Sequence, residues 1–137
     1  MKWRIFMRKS FFIFIACLTL FAYSPVKAET VTKNDVQLRD DVIFIMLYPS
    51  IQQELKKQYG EIKQNMCGKI TQIKHLPIGS YLFNVTVQVT TFEGAHSPPH
   101  DLVTITFSNE KTIEWKAIDF KKRRFKQIEI IKCRHPL

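Results

Sequence analysis

The sequence predicts an α+β domain in which a pair of N-terminal helices packs on one face of a curved antiparallel sheet of four to five strands. Three observations carry this. Apolar residues recur at helical spacing between Leu38 and Tyr59, the period changes to that of a strand after Gly60, and Tyr81, Phe83, Val85, Val87 and Val89 then alternate strictly with Leu82, Asn84, Thr86, Gln88 and Thr90. The chain has 137 residues, 45% hydrophobic and 24% charged, about one domain's worth, which excludes a disordered polyelectrolyte. Six Pro and four Gly exclude a collagen-like or low-complexity chain, and no internal repeat is visible.

The N-terminus reads as a secretion signal. Lys2, Arg4, Arg8 and Lys9 form a basic head, Phe11 to Tyr23 is apolar, and Val26-Lys27-Ala28 places small residues where signal peptidase reads them. The expected division is residues 1–28 signal peptide, 29–35 polar leader and 36–137 a single domain. The apolar stretch falls short of the about 20 residues a bilayer span needs. Export with cleavage after Ala28 is therefore preferred over an uncleaved membrane anchor. With the signal go five basic residues (Lys2, Arg4, Arg8, Lys9, Lys27) and no acid, so the +9 of the whole chain falls to +4. What remains is concentrated at residues 121–135. Cys17 also leaves, and the even pair Cys67 and Cys133, in an oxidising compartment, is a candidate disulfide.

Asn34 followed by Gln37 has the form of an N-cap with its partner, so the first helix is expected to begin near Asp35. Val42 to Leu47 is apolar on every side. Pro49 predicts extended backbone at Tyr48. Ser50 with Gln53 repeats the capping pattern and opens a second helix, with Ile51, Leu55 and Tyr59 on one face and Gly60 as its stop. Residues 68–76 make a strand in which Ile70 and Ile73 share a face only through a bulge. After the turn at Pro77-Ile78-Gly79 comes the alternating strand, then Val103, Ile105 and Phe107, a turn at Asn109-Glu110-Lys111, and Ile113, Trp115 and Ala117. The basic run 121–126 is expected as a loop or hairpin tip, and 127–133 as a last strand. This helix-then-sheet order is that of cystatin-like and nuclear-transport-factor-like folds, an analogy that implies no function.

The connection from Thr91 to Asp101 is longer than a hairpin needs. It holds two His, two acids, a Gly and a Pro pair. Its candidate binding residues are Phe92, Glu93, Gly94, His96, Pro98 and Pro99. His96 and His100 have a spacing that shares one face of a helix, but the prolines exclude a helix there, so no metal ligands are assigned. Ser97 lacks a nucleophile elbow, and no cofactor motif is present. Lys121, Lys122, Arg123, Arg124 and Lys126 are candidates for weak contact with a polyanion, such as envelope polymers or anionic lipid headgroups. Aromatic interleaving is limited to Phe125 and no nucleic-acid fold signature accompanies it, so nucleic acid is not an expected partner.

Leu38-Arg39-Asp40 opening an apolar helix, Tyr59-Gly60 closing the next, and Val85 to Pro99 with its Thr-Phe-Glu-Gly to Pro-Pro block resemble the domain-of-unknown-function 3888 family of small secreted proteins from spore-forming Gram-positive bacteria. The resemblance covers residues 36–107. It implies a Gram-positive source and a protein that meets the cell wall or the medium, and it implies no activity. His100 departs from the aromatic residue that commonly follows the two prolines in that family. Two functions stay open: a secreted binding or interaction module of unknown ligand presenting the 91–101 loop, and a small hydrolase-like secreted enzyme using Glu93 and His96. The missing nucleophile and cofactor motifs favour binding.

Overall fold

A computed structural model describes residues 32–126 and 129–134. The expected signal peptide, and the leader up to Val31, lie outside the described residues. Thr32 opens the first element with a capping box: its hydroxyl accepts the Asp35 N–H at 3.2 Å while the Asp35 carboxylate accepts the Thr32 N–H at 2.9 Å. Two orphan donors of the first turn are thereby satisfied. The cap expected at Asn34 is thus made two residues earlier, with Asp35 in the reaching role.

One helix follows where two were expected. α1 runs unbroken over Lys33–Tyr59, with Pro49 inside it, and ends at Gly60, whose φ of 77° lets its N–H bond the Lys56 carbonyl at 2.9 Å. Ser50 is therefore an interior residue and caps nothing. A proline inside a helix removes the bond to the carbonyl four residues back, at about 3 kcal/mol. That carbonyl belongs to Ile45, and Ile45 and Pro49 are both exposed, so water can take the lost bond. Leu47 on one side of the proline and Ile51 and Leu55 on the other are each 1% exposed or less, against the sheet. Burying each contributes about 1.5–3 kcal/mol, which outweighs the proline.

The sheet is an antiparallel meander in the order β1 (Gln64–His75), β2 (Phe83–Glu93), β3 (Ser97–Ser108), β4 (Lys116–Arg124). Val85, Val87 and Val89 stand opposite Phe107, Ile105 and Val103, and all six are 2% exposed or less. This is the inner face, covered by α1. The outer face is polar, as the alternation predicts, with Thr86 and Thr106 hydroxyls 3.0 Å apart. β1 starts four residues before its expected beginning. Its register shift between Ile70 and Gln72 sets Ile70 opposite Val87 and Ile73 opposite Val85, on one face, as their odd spacing requires.

Two expectations at the C-terminal end are corrected. The basic run is not a tip: Lys121 to Arg124 pair with Thr104 to Asp101 as the second half of the edge strand β4. Charged side chains on an edge strand discourage pairing with other chains, and that role needs no apolar alternation. Of the expected last strand, 127–133, Gln127 and Ile128 lie outside the described residues and the rest forms no strand, so among the described residues the sheet has four. Ile130 and Ile131 instead share a cleft with Thr90 and Leu102 of the outer face. The segment then brings Cys133 beside Cys67, with Cα atoms 4.6 Å apart, and Arg134 to Asp41.

Gly68 sits where a Cβ would enter the Phe44 ring of α1. Gly68→Ala should lower stability by about 1–3 kcal/mol, the range for an overpacked core. Adding Phe44→Leu should recover part of the loss in urea titrations. An unchanged midpoint for the single variant would mean that α1 does not lie this close to β1.

Candidate functional site

The expected long loop is a tight hairpin. Only Gly94, Ala95 and His96 form the turn, and Glu93 pairs with Ser97. Thr91 and Phe92 are buried in β2, and Asp101 is buried in β3. Between the pairs Thr91–Asp101 and Glu93–Ser97, β2 contributes one residue and β3 three, so Pro98 and Pro99 fall in a bulge where a missing N–H costs no ladder bond. His96 takes a left-handed φ of 60°, with its ring stacked on Phe92 at 4.2 Å between centroids. Its carbonyl oxygen lies 3.1 Å from Nε2 of His100.

Beneath this hairpin is a polar cluster centred on Asp101. Asp101 alternates with Val103, Ile105 and Phe107, so its carboxylate points to the inner face, past the end of α1, with a side chain 4% exposed. The Tyr59 hydroxyl from the last turn of α1 donates to Oδ2 at 2.8 Å, and Nε of Arg124 from β4 donates to Oδ1. Three elements are tied by one carboxylate. Lys63 and Lys122 lie over the Tyr59 ring, 5.3 Å and 4.7 Å from its centroid. Lys63, its side chain 8% exposed, pairs in turn with Glu93 at 2.7 Å and Glu61 at 3.5 Å.

Three acids therefore face three bases, and the cluster is close to neutral. Burial pushes Asp101 upward, but the hydrogen bonds from Arg124 and Tyr59 and the nearby Arg124 and Lys122 charges outweigh it and hold the carboxyl below its ordinary value. Tyr59 is pushed up to about 12, first by burial, with the bond to Asp101 and that carboxylate's charge adding to it against the opposing Thr91 bond and Arg124 charge. The hydrogen bond to Glu93 raises Lys63 against its burial. Each of these three shifts favours the form in which the group holds its neighbours: Asp101 ionised, Tyr59 neutral and Lys63 charged.

The residues expected to form one binding loop are divided by the structure. Glu93 belongs to the cluster through Lys63. Phe92, Gly94 and His96 line an open groove of about 650 Å³ between the hairpin tip and the α1–β1 link, whose other wall includes Tyr48, Gln52 and Asn65. The amide nitrogen of Asn65 is itself buried and has no hydrogen-bond partner. Pro98 and Pro99 line a second recess of about 430 Å³ on the other side, with His100, Arg124, Phe125 and Ile131. Glu93 and His96 thus engage different partners. The basic run is similarly dispersed: Lys121 pairs with Asp119, Lys122 caps Tyr59, Arg123 pairs with Glu129 and Arg124 with Asp101, while the Lys126 backbone N–H bonds Glu129. Among the described residues no three His, Cys, Asp or Glu side chains converge as a metal site would, and no helix is long and apolar enough to cross a membrane.

Tyr59 and Lys63 were not among the sequence candidates, and Asp101 was counted only as an acid of the 91–101 connection, although one signal of its role was available. Asp101 has the parity of the core residues of β3, and an acid on a core face needs partners.

A family model described as a protein of unknown function (DUF3888) matches residues 39–124, more than half of the chain. The chain belongs to the DUF3888 family. Every residue of the Asp101 cluster lies within the matched span, whereas Cys133 and the segment across the outer face lie beyond it. No curated protein and no solved structure matches this DUF3888 chain.

A carboxylate with a lowered pKa stabilises the fold fully above its unfolded value of about 3.9 and loses that contribution as pH falls through the lower folded value. Asp101→Asn should cost about 2 kcal/mol at neutral pH, the range for hydrogen bonds to a charged group. It should also flatten the acid limb of the stability profile, read by urea titration between neutral pH and about pH 2. A profile of the same slope in both proteins would remove Asp101 from this role.

Proposed function

We propose that this DUF3888 protein is an exported binding module of the cell envelope or medium, and that its ligand enters the groove between the hairpin tip and the α1–β1 link. The observation that carries the reading is the division of labour around the hairpin. Glu93 and Asp101 are spent on holding the scaffold, while Phe92, Gly94, His96 and Asn65 border an open, mixed polar and aromatic groove. Binding sites pair a rigid frame with a few polar groups that fix orientation. The alternative, a hydrolase-like enzyme using Glu93 and His96, needs the two side chains to share a substrate atom. What weighs against it is that Glu93 is paired with Lys63 and the His96 ring is stacked on Phe92. Contact of the basic β4 edge with anionic polymers or headgroups is a secondary, salt-sensitive part of the proposal.

Export and the disulfide belong to the same reading. Mass spectrometry of the medium should find a chain beginning at Glu29 and lighter than its reduced form by the two hydrogens lost on joining Cys67 to Cys133. With a sequence separation of 66 between the cysteines, reduction should cost about 4 kcal/mol on the chain-entropy model. Full-length protein in membranes, or two free thiols, would reject these parts of the proposal.

The groove itself is tested on isolated Gram-positive cell walls. His96→Asn keeps a residue that tolerates left-handed backbone, so stability should stay within about 1 kcal/mol, as for surface sites. Retention on the walls should fall about tenfold, the loss expected of a central contact. Unchanged retention would place the binding surface elsewhere.

A further inference from the structure

The exposed side of α1 carries an apolar stripe that the fold leaves bare. Leu47, Ile51 and Leu55 face the sheet, but Leu38, Val42, Ile45 and Met46, between 54% and 73% exposed, follow one another at helical spacing on the opposite side, with Pro49 continuing the row. This is the second half of the run that is apolar on every side, and a contiguous apolar face of this kind marks an interaction surface.

The two ends of the stripe bear opposite charges. On a helix of 3.6 residues per turn, Asp35 lies on the same side one turn before Leu38, and Lys56 lies there two turns after Pro49. We propose that the stripe is covered by a second copy of this chain, with the two α1 helices antiparallel and a two-fold axis passing between Ile45 and Met46. Under that symmetry Val42 meets Pro49 of the second copy, Leu38 meets Gln53, and Asp35 meets Lys56 at both ends. The same patch serves both partners, as a two-fold interface requires. Opposed helix dipoles add to the match.

A membrane surface fits the stripe less well. The four basic residues of α1 (Lys33, Arg39, Lys56, Lys57) are balanced by four acids (Asp35, Asp40, Asp41, Glu54), so the helix has no net charge to draw it to anionic headgroups. Self-association does not rest on the proposed use of the groove, although the α1 wall of the groove, Tyr48 and Gln52, adjoins the stripe.

The chain, expressed from Met1 and purified in the form the cell leaves it, should be a dimer by light scattering at about 100 μM, a concentration suited to interfaces of modest size. Ile45→Glu, and separately Met46→Lys, should weaken dimerisation at least about tenfold by placing a charge in the apolar contact. Both positions are exposed in the single copy, and unchanged far-ultraviolet dichroism would show the fold intact. Asp35→Lys alone, in which far-ultraviolet dichroism must first show that α1 survives the loss of the Thr32 capping partner, and Lys56→Glu alone should each be monomeric under conditions where their mixture forms a heterodimer, because only the mixture restores opposite charges at both ends. A monomeric parent, a dimer indifferent to Ile45→Glu, or no recovery on mixing would overturn the proposal. So would binding of the monomer to neutral phosphatidylcholine vesicles that Ile45→Glu abolishes, since a lipid surface would then occupy the stripe.

Discussion

A single buried carboxylate sets the geometry of this small domain. Asp101 receives Tyr59 from the end of α1 and Arg124 from the edge strand β4, while belonging itself to the central strand β3. An ionised acid with a side chain 4% exposed is costly unless it is bonded on more than one side. The sequence meets that demand from three elements that are far apart along the chain, so the fold is closed at this end by charge-assisted hydrogen bonds rather than by apolar packing. The opposite arrangement holds at the centre of the sheet, where Val87, Val89, Val103 and Ile105 need no polar partner.

The geometry of the proposed binding groove follows from that closure. With α1 fixed at Tyr59, the link to β1 is short, and Lys63 is carried to Glu93 at the base of the hairpin. The turn above it is then confined to Gly94, Ala95 and His96, and the groove walls are set by residues on either side of one anchored point. Prolines that block pairing would be costly within the ladder. In the bulge they stiffen the return strand and shape the recess on the far side. The outer face has its own cover, the segment that ends beside Cys67.

The alternating strands, the polar outer face and the bulge implied by Ile70 and Ile73 were all legible in the sequence, because period-two patterning records burial directly. The helix pair was not. Pro49 and the serine after it carry every local mark of a boundary, and only burial of Leu47, Ile51 and Leu55 on one sheet overrides them. The basic run hid a strand for a related reason: an edge is held by backbone pairing, which leaves its side chains free to be charged. The hairpin was located correctly and its length overestimated, since Thr91, Phe92 and Asp101 are buried strand residues that look like loop residues by type. The Asp101 cluster was the least legible part, since its members come from residues 59–63, Glu93, Asp101 and β4, segments far apart in the chain.

The central claim is that Asp101 holds the hairpin and the groove, beyond contributing to overall stability. Residue-resolved hydrogen exchange on Asp101→Asn, compared with the parent under native conditions, tests it directly. The account predicts faster exchange at the amides of residues 93–97 and 60–65 by about tenfold or more, with Val87 and Ile105 slowed or hastened only as far as global unfolding dictates. An equal increase at every amide, with no excess at the hairpin and the α1–β1 link, would contradict it.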